Sequence, residues 1–189
     1  MLMNEAVIAL DIVDLPLEKV REIFNHFRGE KRVTGMVAMN ISRRSSIDDK
    51  EPEKSGLLLS LLRDLSEAED MENRWAVAKN RLTPVDVLEK LAKDPVNLVR
   101  ALVATNPHTP TTILRTLFSD EKIVRDGLSG NPSTPEELLS LLLTDTDKMV
   151  RMRVAENPGS STSILKALLE DGDLDVRRSA QSRLKERSN

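Results

Sequence analysis

Apolar residues return in a fixed order along most of this chain. Val99, Val124, Val150 and Val176 fall four residues before Val103, Leu128, Val154 and Ala180, which places each pair on one stripe of a helix. The next position is small, as Ala78, Ala104, Ser129 and Ala155, so neighbouring segments can approach closely. Asn80, Asn106, Asn131 and Asn157 then close the segment. Asparagine tolerates a left-handed residue, and the proline after it in three of the four copies does not continue a helix. Thr83-Pro84, Thr109-Pro110 and Thr134-Pro135 open a second segment, with threonine expected as the N-cap, proline as the first helical residue, and Glu137 completing a capping box. Ile113, Leu114, Leu117 and Phe118, like Leu138, Leu139, Leu142 and Leu143, give that segment a wide apolar face. The pattern predicts a helix, a turn and a second helix.

This unit repeats. Arg74, Arg100, Arg125, Arg151 and Arg177 are separated by 26, 25, 26 and 26 residues, and the four asparagines by 26, 25 and 26. Such a period means stacked repeats that bury their apolar faces only against neighbours. The predicted organisation is an N-terminal helical cap over 1–30, a degenerate repeat over 31–71, regular repeats over 72–173 and a capping helix over 174–189. Within 31–71, Val37-Ala38-Met39-Asn40 matches the regular copies, Thr34 holds the arginine position, and the polar stretch 42–55 is expected to be a loop insertion. Arg43-Arg44-Ser45-Ser46 is expected to be solvated loop rather than a modification site.

Composition narrows the chemistry. The 189 residues are 39% hydrophobic and 31% charged, a globular balance. No cysteine is present, which removes thiol catalysis, disulfides and thiolate metal sites. His26 and His108 lie far apart, so no metal site and no cofactor is expected. A net charge of -3 gives no global attraction to nucleic acid or anionic lipid. No apolar run reaches the ~20 residues of a membrane span, and the first residues carry no basic leader, so a cytoplasmic protein is expected.

The succession Val-Arg, Val-Ala-x-Asn-Pro-x-Thr-Pro, Leu-Leu-x-x-Leu and Asp resembles the leucine-rich repeat variant family, which is related in style to HEAT repeats. The resemblance covers 72–180 and extends to 33–64 in weaker form. It implies an all-α, right-handed α-solenoid of about 25–26-residue two-helix repeats, the second helix being α or 3₁₀, with no strands. Some relatives carry a cysteine-ligated iron–sulfur domain; without cysteine, that cofactor is not carried over.

Two rows of residues are candidate sites. The arginine row could bind phosphates or acidic peptides. Asp94, Asp120, Asp145 and Asp171 precede the next arginine by five or six residues, which favours a structural ladder of Arg–Asp pairs within or between repeats. The asparagines form a second structural ladder. Trp75 is the sole tryptophan, and Ala101, Asp126, Met152 and Arg178 hold its position in later copies. Trp75, Ala101, Met152, Arg153 and Arg178 are therefore the candidate partner-binding residues. Gly127 and Gly130 mark either a close approach of a partner backbone or a bend. The expected function is non-catalytic: a scaffold for an unidentified protein or peptide. The alternative is a nucleic-acid-binding solenoid in the style of the HEAT-like DNA glycosylases, opposed by an acidic pI and scarce aromatic residues.

Overall fold

A computed structural model describes residues 1–44 and 52–188 and is helical throughout, with no strand among the described residues. The helices are α1 (Met3–Leu10), α2 (Leu17–His26), α3 (Lys31–Arg44), α4 (Pro52–Ser66), α5 (Met71–Lys79), α6 (Val85–Leu91), α7 (Asn97–Thr105), α8 (Thr111–Leu117), α9 (Lys122–Gly130), α10 (Glu136–Leu142), α11 (Lys148–Glu156), α12 (Thr162–Leu168) and α13 (Leu174–Glu186). The chain divides into two compact units, Met1–Val99 and Arg100–Asn189, and α7 contributes to both. The second helices α6, α8, α10 and α12 are all α rather than 3₁₀.

In the second unit the first helices bury Val124 with Leu128, Val150 with Val154, and Val176 with Ala180. The second helices bury Ile113, Leu114 and Leu117, then Leu138, Leu139 and Leu142, then Ile164, Leu165 and Leu168. Ala104, Ser129 and Ala155 are fully buried where a larger side chain would hold adjacent helices apart. Gly127 takes this furthest. A Cβ there would lie 2.8 Å from the Ala101 carbonyl oxygen and 3.3 Å from the Ala104 Cβ. The backbone that comes close is therefore the chain's own α7, not a partner's. Gly130 gives room to the Arg153 side chain, which would pass 3.7 Å from a Cβ at that position.

Three backbone expectations need correction. No non-glycine residue has positive φ, and Asn80, Asn131 and Asn157 are extended, with φ of -70°, -75° and -63°. The asparagines close their helices by hydrogen bonding instead. Asn131 Nδ2 donates to the carbonyls of Ala104 (2.6 Å) and Asn106 (2.9 Å), and Asn157 Nδ2 to those of Ser129 (2.7 Å) and Asn131 (2.9 Å). In the first unit Asn40 Nδ2 reaches Leu10 (2.7 Å) and Ile12 (2.9 Å). Each regular asparagine also accepts from the amide two residues on, as Leu82 to Asn80 (2.9 Å), His108 to Asn106 (3.0 Å), Ser133 to Asn131 (2.8 Å) and Gly159 to Asn157 (2.7 Å). The side chain thus satisfies helix-end carbonyls and a turn amide together.

The threonines are not N-caps. Pro84, Pro110 and Pro135 hold that position without a side-chain cap. The buried hydroxyls of Thr83, Thr109 and Thr134 donate backwards, to the carbonyls of Val77 (2.6 Å), Val103 (2.6 Å) and Leu128 (2.7 Å). Ser160 does the same to Val154 (2.5 Å). These carbonyls belong to the last turn of the preceding helix, and each also accepts the backbone amide of the asparagine that closes it, so the hydroxyl supplies a second donor. Glu137 forms no capping box; its carboxylate pairs with Arg115.

The loop expected over 42–55 is also shorter. Ser42–Arg44 continue α3 and 52–55 belong to α4; residues 45–51, with Ser45 and Ser46, lie outside the described residues. Polar composition misled here because both arginines are held by hydrogen bonds to the fold, Arg44 inside it and Arg43 at its surface. Arg44 is buried, with Nε donating to Asn40 Oδ1 (2.7 Å) and Nη2 to the Leu15 carbonyl, and Arg43 pairs with Asp11 at 3.2 Å.

Glycine substitutions separate propensity from packing. Gly35 lies within α3, and a Cβ there meets nothing within 4 Å. Gly35→Ala is expected to stabilise the protein by about 1 kcal/mol through helix propensity. Gly127→Ala carries the same propensity gain yet is expected to destabilise by ~1–3 kcal/mol, because backbone must move. Urea midpoints of the two variants check the opposite signs.

Candidate functional site

The arginine row is committed to internal pairing. Arg74, Arg100, Arg125 and Arg151 each present Nε and Nη2 to a carboxylate twenty residues downstream, with Nε–Oδ2 distances of 2.6, 2.6, 2.6 and 2.7 Å to Asp94, Asp120, Asp145 and Asp171. The partner is thus the aspartate that ends the same repeat, not the one before the arginine. Nη1 turns the other way, from Arg125 to the Asp120 carbonyl (2.8 Å), from Arg151 to that of Asp145 (2.7 Å) and from Arg177 to that of Asp171 (2.5 Å). Each guanidinium therefore ties the start of its first helix to the end of its second. Bidentate geometry suits arginine and not lysine. In the degenerate copy, Thr34 holds the arginine position and Asp64 instead receives Arg21 from α2 and Arg28 (2.8 Å) from the turn after it.

Hydrogen bonding from Arg100 and Arg151 holds the Asp120 and Asp171 carboxyls below the usual carboxylate range. At Asp145 burial pushes upward, but the Arg125 guanidinium and the Asp147 amide outweigh it. A depressed folded-state pKa means that the unfolded chain binds more protons, so this stabilisation is present above about pH 4 and is lost as pH falls below it. Acidification from pH 7 to pH 3 is expected to lower the urea midpoint. The loss is expected to shrink in an Asp120→Asn/Asp171→Asn variant.

Of the candidate partner-binding residues, Trp75 is the one that lines a large groove. The others belong to the second unit. Ala101 is half-buried, and its carbonyl accepts from Thr105 Oγ1 at 2.8 Å. Met152 is half-buried; Arg153 is exposed but donates from Nε to Asp126 Oδ1 at 2.9 Å; Arg178 is exposed, 3.9 Å from Asp175. Arg153 and Arg178 thus already face intrachain carboxylates.

The groove lies wholly in the first unit, where α1, α3, α5 and the start of α7 meet, and has a volume of about 960 Å³. Asn40 fixes α3 to the end of α1, and Asn73 Nδ2 donates to Thr34 Oγ1 at 3.2 Å to fix α5 to α3. The floor is apolar: Met36, Met39, Met71, Trp75, Ala76 and Leu98. Trp75 is 38% exposed, Met39 53% and Leu98 43%. Gly35 holds in α3 the position that Trp75 holds in α5, and its missing side chain leaves open space in the groove. Around this floor stand Lys31, Arg32, Arg43, Lys79 and Arg81, against the single carboxylate of Glu72. Lys79 Nζ sits 5.2 Å from the Trp75 ring centroid, a cation–π contact.

Sequence reasoning isolated Trp75 but missed Gly35 and the methionines. Their signal lay in the degenerate copy's departures from the template, where Gly35, Met36 and Met39 replace what later copies hold as Ala101, Leu102 and Thr105. Among the described residues, no group of three or more His, Cys, Asp or Glu side chains is arranged to hold a metal ion, and no helix is long and apolar enough to cross a membrane.

No family model matches the sequence, and no curated protein does. Among solved structures, the chain is similar to a leucine-rich repeat variant with a novel repetitive structural motif, at 21% identity over 91% of this chain and 88% of that one, with a TM-score of 0.38. It is also similar to two engineered proteins. One shows 16% identity over 96% of this chain and 63% of that one, with a TM-score of 0.45; the other shows 16% identity over 96% and 90%, with a TM-score of 0.38. Each of the two units is built of α-helix pairs that recur every 25 or 26 residues in the regular copies, an all-α helical-repeat architecture.

Proposed function

We propose that this protein is a non-catalytic docking scaffold that holds a segment of another protein in the groove of its first unit. One observation carries this reading: the sole tryptophan lies exposed among three methionines in a preformed apolar groove. Tryptophan dominates many interfaces because it gives a large rigid contact area at low entropic cost. The abundant carboxylates support a structural rather than chemical role, since Asp94, Asp120, Asp145 and Asp171 are each held by a guanidinium. Affinity capture from a lysate treated with nuclease, in parallel with a Trp75→Ala variant, tests the proposal. A discrete protein held by the parent chain and lost with the variant is expected. Identical capture by both, or recovery only of nucleic acid that added salt removes, would overturn it.

A further inference from the structure

We infer that the segment this groove accepts is an amphipathic helix of roughly three turns with acidic residues along its polar face; this rests on the docking reading above. The choice of a helix follows from the groove's walls. They are helices, with their backbone groups already paired internally, and no sheet edge is present among the described residues. An extended segment laid on Met36, Met39, Met71 and Trp75 would leave its amides and carbonyls facing thioethers and an indole, without partners for their hydrogen bonds. A helix satisfies its own backbone and needs to present only side chains. Unbranched methionines adapt to such an apolar face. The open space at Gly35 beside Trp75 admits one bulky anchor.

Charge specifies the polar face. The lining holds five cations and one carboxylate, in a chain whose net charge is -3. Lys31, Arg32 and Arg81 have no ion-pair partner among the described residues, and they are exposed. The cations are also spread out. Lys31 and Arg43, the latter already paired with Asp11, stand near opposite ends of α3, about 18 Å apart at 1.5 Å per residue. One anionic headgroup does not span that length, whereas carboxylates on successive turns of a helix do. A stacked single strand finds only one aromatic ring here, so nucleic acid fits less well.

The probe is a displayed library of random 18-residue peptides selected on the full-length chain, with retained peptides then measured by fluorescence anisotropy. Sequences with apolar residues at i, i+3 or i+4, and i+7 and with several Asp or Glu are expected, becoming helical on binding. Arg32→Glu/Arg81→Glu, which alters two unpaired surface cations, is expected to weaken them at least tenfold at low salt. Peptides with Asp and Glu exchanged for Lys are expected to prefer that variant to the parent. Retained peptides that Gly35→Trp abolishes, but that are neutral, basic or non-helical, would overturn this inference and leave the docking site standing. No retained peptide, or peptides indifferent to Gly35→Trp, would overturn both. A labelled single-stranded oligonucleotide that displaces the peptides and binds more tightly would also overturn the inference.

Discussion

Replacing Trp75 by alanine is expected to weaken partner binding by roughly thirtyfold or more while leaving the fold intact, since a central interface tryptophan commonly contributes at least about 2 kcal/mol. The indole is 38% exposed, so truncation opens no core cavity. Gly35→Trp approaches the same groove from the opposite wall. A side chain there meets no neighbouring atom within 4 Å of Cβ and needs no unusual φ, so the larger residue extends into the groove and occupies it. The two variants should therefore lose binding with urea midpoints close to that of the parent. A midpoint drop as large as the binding loss in both would point to a packing role for these positions instead.

Asn131→Ala is expected to be among the most destabilising single changes, by about 3–4 kcal/mol. The residue is 1% exposed and its side chain makes three hydrogen bonds, donating to Ala104 and Asn106 and accepting from Ser133. Alanine removes all three and leaves buried groups short of a partner, each costing about 1–3 kcal/mol. Asn106 is the less affected acceptor, since its carbonyl also receives the Thr109 amide. Asn131→Asp should be no better, because a carboxylate would face two carbonyl oxygens. Denaturant unfolding of both variants at pH 7 checks this. A loss below about 1 kcal/mol would mean that the asparagine row contributes little to stacking.

Much of the fold was legible because stacking repeats one environment, and the chain prints that environment several times. Comparing Val99, Val124, Val150 and Val176 within one sequence separates core from surface as an alignment would. What stayed hidden was the direction of polar side chains. Thr109-Pro110 fits the grammar of an N-cap, yet the hydroxyl turns back to the Val103 carbonyl, which the Asn106 amide also reaches, so that helix end and turn are tied together. Asn131 fits a left-handed cap, yet its reach into the preceding repeat is a tertiary fact. The spacing of Asp120 did not say whether Arg100 or Arg125 takes its carboxylate; the geometry assigns the carboxylate to Arg100 and the carbonyl to Arg125. The groove was illegible for the same reason. It forms only when Gly35 and Met39 come beside Trp75, forty and thirty-six residues away in sequence.

Because Trp75 is the only tryptophan, its emission reports on the groove without any label. The most direct measurement is a fluorescence titration of the full-length chain with the captured partner, monitored with iodide quenching. A blue shift and loss of quenching that saturate with binding are expected, since docking removes the indole from water. Saturable binding with emission and quenching unchanged would place the partner elsewhere and contradict the assignment of this groove.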